Sequence, residues 1–211
     1  NAQEWSPFLQ SWTMGEVYRS IGEEPVRLEI REGNEIVGIC QAVVVPARRG
    51  RHLAVMYGPV TSCELLAVSD KLVEGLRNAA VKHNCSFVRI SPFVASDKPE
   101  IANAVPSPLH MLAEHVWYLD IQNKTEEELM KNMRQNHRNL IRRAAREEVE
   151  VIASENIERD LEEFFTLYDE TRKRHAFVPY PNKFIRAQVE HFSTRGECTL
   201  YLARYQGEVV A

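Results

Sequence analysis

The sequence predicts a mixed α/β (α+β) protein built as two successive domains. Three observations carry this expectation. First, β-branched runs alternate with segments whose apolar residues recur every three or four positions, the pattern of strands and amphipathic helices packed in layers. Second, residues 91–108 hold Pro92, Pro99, Pro106 and Pro108 with no periodicity, and the order of elements begins again after them. Third, 211 residues suit one large or two small domains, and 44% hydrophobic with 27% charged residues is ordinary globular usage. The expected domains are 1–108 and 109–211.

Taken in order, Leu9, Trp12, Val17 and Ile21 sit at helical intervals between Ser6-Pro7, a start signal, and Gly22, a stop, so a short helix is expected over 8–21. Residues 26–31 and 35–46 are apolar and β-branched, and Gly33-Asn34 between them tolerates positive φ, so they read as a hairpin. The basic turn Arg48-Arg49-Gly50-Arg51 leads to a strand at 52–57, closed by Gly58-Pro59. Leu65, Leu66, Val68, Leu72, Val73, Leu76, Ala79 and Ala80 mark an amphipathic helix over 64–84. A strand at 86–90 follows, then the proline-rich connection.

The second half reads as strand 115–121, helix 125–147, strand 149–153, helices 157–174 and 181–192, and strand 198–205. Gln206-Gly207 turns the chain into Val209-Val210-Ala211, the start of a strand that the sequence does not continue. A three-residue strand leaves an uncovered edge, so the chain is expected to be a piece of a longer protein with its second domain incomplete. The repeated element order predicts that the two halves resemble each other.

Several classes are not expected. No apolar run reaches the 18 or so residues of a spanning helix, and residues 1–10 lack the basic and apolar stretches of a secretory signal. Cys40, Cys63, Cys85 and Cys198 form no metal-ligand spacing. Free thiols binding no metal, in a reducing cytoplasmic compartment, are therefore expected.

The net charge of −4 points to no polyanionic partner, but its distribution does. Lys131, Arg134, Arg138, Arg142, Arg143 and Arg146 lie in a segment with no acidic residue, on an otherwise acidic chain. Within helix 125–147, Thr125 and Glu126 to Glu128 suit the positive end of the dipole. Leu129, Met133, Leu140, Ile141, Ala144 and Ala145 supply a stripe expected to be buried. Arg134, Arg138, Arg142 and Arg146 are spaced by four, which advances only about 40° per step, so they form one ridge. Planar guanidinium forks on one ridge suit a phosphate-rich ligand; the bland alternative is a solvated or internally paired face. The ridge alone does not separate nucleotide, lipid pyrophosphate and tRNA.

No G-x-S-x-G, P-loop, G-x-G-x-x-G or H-E-x-x-H motif occurs. His137 and His175 lie beside arginines, and Asp169 with Glu170 could orient an amine, but both patterns are commoner on solvated surfaces. No residue pattern singles out a catalytic base.

Collinear motifs add a resemblance. L-Q-S-W-T-M-G-E-V-Y-R-S-I-G (Leu9 to Gly22), Y-G-P-V (Tyr57 to Val60), W-Y-L-D (Trp117 to Asp120), D-E-T-R-K-R-H-A-F (Asp169 to Phe177) and Y-L-A-R-Y-Q-G-E-V-V-A (Tyr201 to Ala211) resemble the Fem family of aminoacyltransferases. The run Asn132 to Val151 is similar to that family's M-x-x-x-x-R-x-x-I-R-x-A-x-x-x-G-V-x-V, with Glu148 in place of its glycine. Where family members can carry a phosphate-contacting lysine, this chain has Tyr18 and, one position on, Arg19.

The resemblance implies tandem GNAT-like acyltransferase domains, the second truncated. It implies transfer of an amino acid from aminoacyl-tRNA, the co-substrate in place of a cofactor, to the stem-peptide amine of a UDP- or lipid-linked muramyl pentapeptide. A lipid-linked acceptor would bring peripheral association with the inner membrane face. Arg138 and Arg142 are then expected at the precursor phosphates, with Arg134 and Arg19 as further substrate contacts. Two alternatives stay open: an acyl-CoA-dependent N-acyltransferase of the same fold, although no glycine-rich pyrophosphate turn occurs in these residues, and a non-catalytic module binding RNA or anionic lipid.

Overall fold

The computed structural model describes residues 6–48, 50–94 and 101–211; Arg49 of the basic turn and Pro99 of the connection lie outside the described residues. The chain is mixed α/β and divides into two compact units, Asn1–His115 and Val116–Ala211.

The first unit begins with a 3-10 turn, Phe8–Gln10, and helix α1, Trp12–Ser20. Ser11 caps α1 by accepting from the Met14 N–H, so the start lies a few residues later than Ser6-Pro7 suggested. Strands β1 (Glu24–Glu32) and β2 (Glu35–Ala47) form the expected antiparallel hairpin, closed by Gly33 at φ 60°. Strand β3 (Gly50–Met56) continues the antiparallel meander, and the short β4 (Val60–Thr61) folds back onto β2. Helix α2 (Leu65–Lys82) then crosses over to β5 (Phe87–Ser91), which lies parallel to β3. The sheet order is β1-β2-β3-β5.

Strand alternation sorts the side chains between two faces. Val26, Ile30, Cys40, Ala42, Val44, Leu53 and Val55 meet Val68, Leu72, Leu76, Ala79 and Ala80 of α2 in one core. Burial pushes the Cys40 thiol up to about 12. Arg27 and Gln41, opposite each other in the ladder, face the other way and receive α1.

The second unit departs from expectation at its beginning. Residues 115–121 form no strand: Trp117 is 97% exposed, Tyr118, Leu119 and Ile121 are also exposed, and no neighbouring backbone among the described residues supplies a ladder. The expected helix 125–147 is two helices, α3 (Glu126–Asn132) and α4 (Gln135–Arg146), separated by extended Met133 and Arg134. No Pro or Gly marks the break. Asn132, Asn136 and His137 are weak helix formers, and Arg138 from the next turn takes over the end of α3, donating to the Lys131 carbonyl at 2.9 Å. The expected buried stripe is also absent, since Leu140 is 60% and Ile141 47% exposed.

Strand β6 (Glu150–Ala153), helices α5 (Ile157–His175) and α6 (Asn182–Ser193), and strands β7 (Tyr201–Tyr205) and β8 (Glu208–Val209) follow, with β6-β7-β8 antiparallel. Glu148 adopts φ 60° before β6, so the turn forms without the glycine of the resembled motif. Leu161, Phe165, Ala187 and Leu202 are the buried apolar residues of this unit. Both units run a helix into an antiparallel hairpin, α1 into β1-β2 and α6 into β7-β8.

Asp160 is 1% exposed and ties β6 to α5: it accepts from the Ser154 hydroxyl and from Arg159 Nε, each at 2.7 Å. The Arg159 hydrogen bond, then that of Ser154, holds its carboxyl below the usual aspartate range. A carboxyl depressed in the folded state stabilises above its unfolded value, near ~3.9, and loses that contribution as pH falls through the folded one. Asp160→Asn should therefore lower the urea midpoint at pH 6 and converge with the parent at the acid limit; equal midpoints at both ends would refute this role.

Candidate functional site

Arg19 lies in the last turn of α1, where a cation complements the dipole. Its guanidinium is engaged by Glu16 one turn back. The second Glu16 oxygen accepts from Arg27 Nη2 at 2.7 Å, and this bond, with the contact to Arg19, holds the carboxyl below its ordinary value. Arg27 is fixed further by Gln41 Oε1 at 3.0 Å and the Trp12 carbonyl at 3.1 Å, and its guanidinium lies 3.5 Å from the Trp12 ring centroid. Tyr18, beside Arg19, is buried with its hydroxyl 3.2 Å from Met56 Sδ. Sequence reasoning did not single out Glu16 and Arg27; only the four-residue spacing of Trp12 and Glu16 hinted at a shared helix face.

The expected arginine ridge is shorter than the sequence suggested. Arg134 stands outside α4 as its extended N-cap residue. Arg138 is occupied within the chain: besides Lys131, it donates to Gln135 Oε1 at 2.6 Å. Arg143, off the ridge, pairs with Glu147 at 2.7 Å, and that carboxylate raises its pKa. Arg142 and Arg146 remain exposed, on one ridge, with no hydrogen bond or ion pair among the described residues.

Those two arginines line a shallow open concavity along α4 with Asn136, Asn139, Leu140, Ala145 and the Glu147-paired Arg143. Charge-assisted donors beside neutral amides are groups that could hold an anion. Asp169 pairs with Arg172 at 3.5 Å. Among the described residues no cluster of His, Cys, Asp and Glu could hold a metal ion, and no helix is long and apolar enough to cross a membrane.

No curated protein sequence matches the chain. Among solved structures, the crystal structure of FemX superposes over 94% of this chain and 53% of FemX, with a TM-score of 0.70 and 18% sequence identity. The chain thus spans about half the length of FemX. Residues 131–211 match the family model of the acetyltransferase (GNAT) domain, a match that contains all of α4. The chain therefore shares the fold of FemX and carries in residues 131–211 a segment of the GNAT acetyltransferase type.

Proposed function

We propose that this protein is an N-acyltransferase of the Fem type, moving an amino acid from aminoacyl-tRNA to the stem-peptide amine of a peptidoglycan precursor. The observation that carries the reading is the likeness of fold to FemX across nearly the whole chain, with a GNAT-type match in the second unit. The reaction is aminolysis of an ester. The acceptor nitrogen attacks the aminoacyl carbonyl, its bond to the tRNA ribose oxygen breaks, and the proton lost by the amine ends on that oxygen. Such chemistry depends on positioning, amine deprotonation and oxyanion stabilisation, and needs no covalent nucleophile.

In this reading Arg142 and Arg146 meet an anionic substrate, while Arg138 acts as a positioning residue that joins α3 to α4. Arg134 is a further candidate contact. Arg19 contributes only when it exchanges Glu16 for the ligand. The reaction runs in the cytoplasm, and at the inner membrane face when the acceptor is lipid-linked.

The acetyltransferase description of the matching domain favours a second donor, acyl-CoA. Presenting the protein with labelled aminoacyl-tRNA and labelled acyl-CoA separates the two. Release of label from the tRNA alone is expected, release from acyl-CoA alone selects the second donor, and release from neither leaves a binding module.

A further inference from the structure

The open side of α4 carries an ordered series of hydrogen-bonding groups. Asn139, Arg142 and Arg146 lie within about 60° of one another around the helix, with Asn136 at the edge of that face. All four are exposed, and Arg142 and Arg146 are unpaired among the described residues. No acidic residue occurs from Lys131 to Arg146, and the nearest acid, Glu147, is paired with Arg143.

We propose that this ridge of α4 is a docking face for the sugar-phosphate backbone of an RNA strand. The inference rests on the proposed tRNA-dependent reading and assigns it a surface. Two arginines four residues apart are separated along the axis by about 6 Å. The phosphates of a diphosphate share one bridging oxygen and sit closer than that, whereas successive phosphates of a nucleic acid strand are separated by a whole sugar. The spacing therefore suits a strand better than the diphosphate of a UDP- or lipid-linked precursor. The Asn136 amide carries both donors and an acceptor, and Asn139, whose Oδ1 accepts from Gln135 Nε2 at 3.0 Å, adds N–H donors that a ribose 2′-hydroxyl or an unstacked base edge can use.

The test titrates the protein with an uncharged RNA minihelix copying a tRNA acceptor stem, with UDP-linked muramyl pentapeptide, and with vesicles rich in phosphatidylglycerol. The variants are Arg142→Gln with Arg146→Gln, and the charge-preserving Arg142→Lys with Arg146→Lys. Circular dichroism checks the fold of each. The glutamine pair should lose about tenfold or more in minihelix affinity. It should also flatten the slope of log affinity against log salt by roughly one to two, reflecting two lost phosphate contacts. The lysine pair should keep most of that slope.

Unchanged minihelix affinity in the glutamine pair overturns the proposal, as does a loss confined to the precursor or to vesicles. Unchanged minihelix affinity with transfer from aminoacyl-tRNA intact removes the docking face and leaves the proposed function standing. Loss of minihelix affinity in a protein that transfers nothing from aminoacyl-tRNA upholds the docking face and removes that function.

Discussion

Gly15→Ala should destabilise the protein by about 2 kcal/mol, although alanine is the better helix former by roughly 1 kcal/mol. A Cβ at Gly15 would lie 2.2 Å from Arg27 Nη2 and 2.3 Å from Gln41 Oε1. Both atoms end flexible side chains, but both are tied. Arg27 Nη2 donates to Glu16 and the Trp12 carbonyl, and Gln41 Oε1 accepts from Arg27 Nε. Making room means surrendering hydrogen bonds to charged groups worth roughly 1.5–3 kcal/mol each, and more than one must go. Gly75 in α2 is the control, because its added Cβ meets only Leu28 Cδ1, at 3.7 Å. Gly75→Ala should stabilise by about 0.5–1 kcal/mol. Urea unfolding followed by circular dichroism measures both; a stabilising Gly15→Ala would show that the Arg27 network yields at little cost.

Gln10→Ala should cost about 3 kcal/mol. Gln10 is 5% exposed and joins β2 to β3 through one amide. Its Nε2 donates to the Gln41 carbonyl at 3.0 Å and the Met56 carbonyl at 2.8 Å, and its Oε1 accepts from the Gln41 N–H at 2.8 Å. Truncation leaves three backbone groups without that partner, at roughly 1–3 kcal/mol for each that stays dry. Gly58 admits the amide closely: a Cβ there would lie 2.4 Å from Gln10 Cδ. Gly58→Ala should therefore be costly in the parent and nearly neutral once Gln10 is alanine, a coupling that a double-mutant cycle reads directly. Additive losses would mean that Gln10 is not seated against Gly58.

What the sequence reveals about this fold follows from how local each cause is. Helix α2 is legible because Leu72, Leu76, Ala79 and Ala80 repeat with the helical period. The β1-β2 hairpin is legible because Gly33 alone can set its turn. Residues 115–121 mislead, because Val116, Trp117 and Tyr118 have the composition of a strand, while pairing depends on a neighbour that composition does not describe. The division between α3 and α4 is likewise hidden: it hangs on Arg138 reaching back to the Lys131 carbonyl, not on a breaker residue.

The candidate site was half legible for the same reason. Helical spacing placed Arg138, Arg142 and Arg146 on one ridge, and the structure keeps them there. Which guanidinium is free depends on partners: Lys131 and Gln135 for Arg138, Glu16 for Arg19. The Arg143-Glu147 pair was within reach of sequence reasoning, being an acid four residues from a base on one helix. The contact of Arg27 with Glu16 was not, because it joins a strand to a helix across a turn of chain.

The proposed reaction delivers a tRNA-borne amino acid to a muramyl peptide amine. It is tested by incubating the protein with aminoacyl-tRNA carrying a labelled amino acid and with UDP-linked or lipid-linked muramyl pentapeptide. The product masses are then read, with an acceptor whose side-chain amine has been acetylated as control. The account predicts an acceptor heavier by one aminoacyl residue on that amine, and no transfer to the acetylated acceptor. Label that stays on tRNA with both free acceptors, while acyl-CoA acylates an amine, would contradict it.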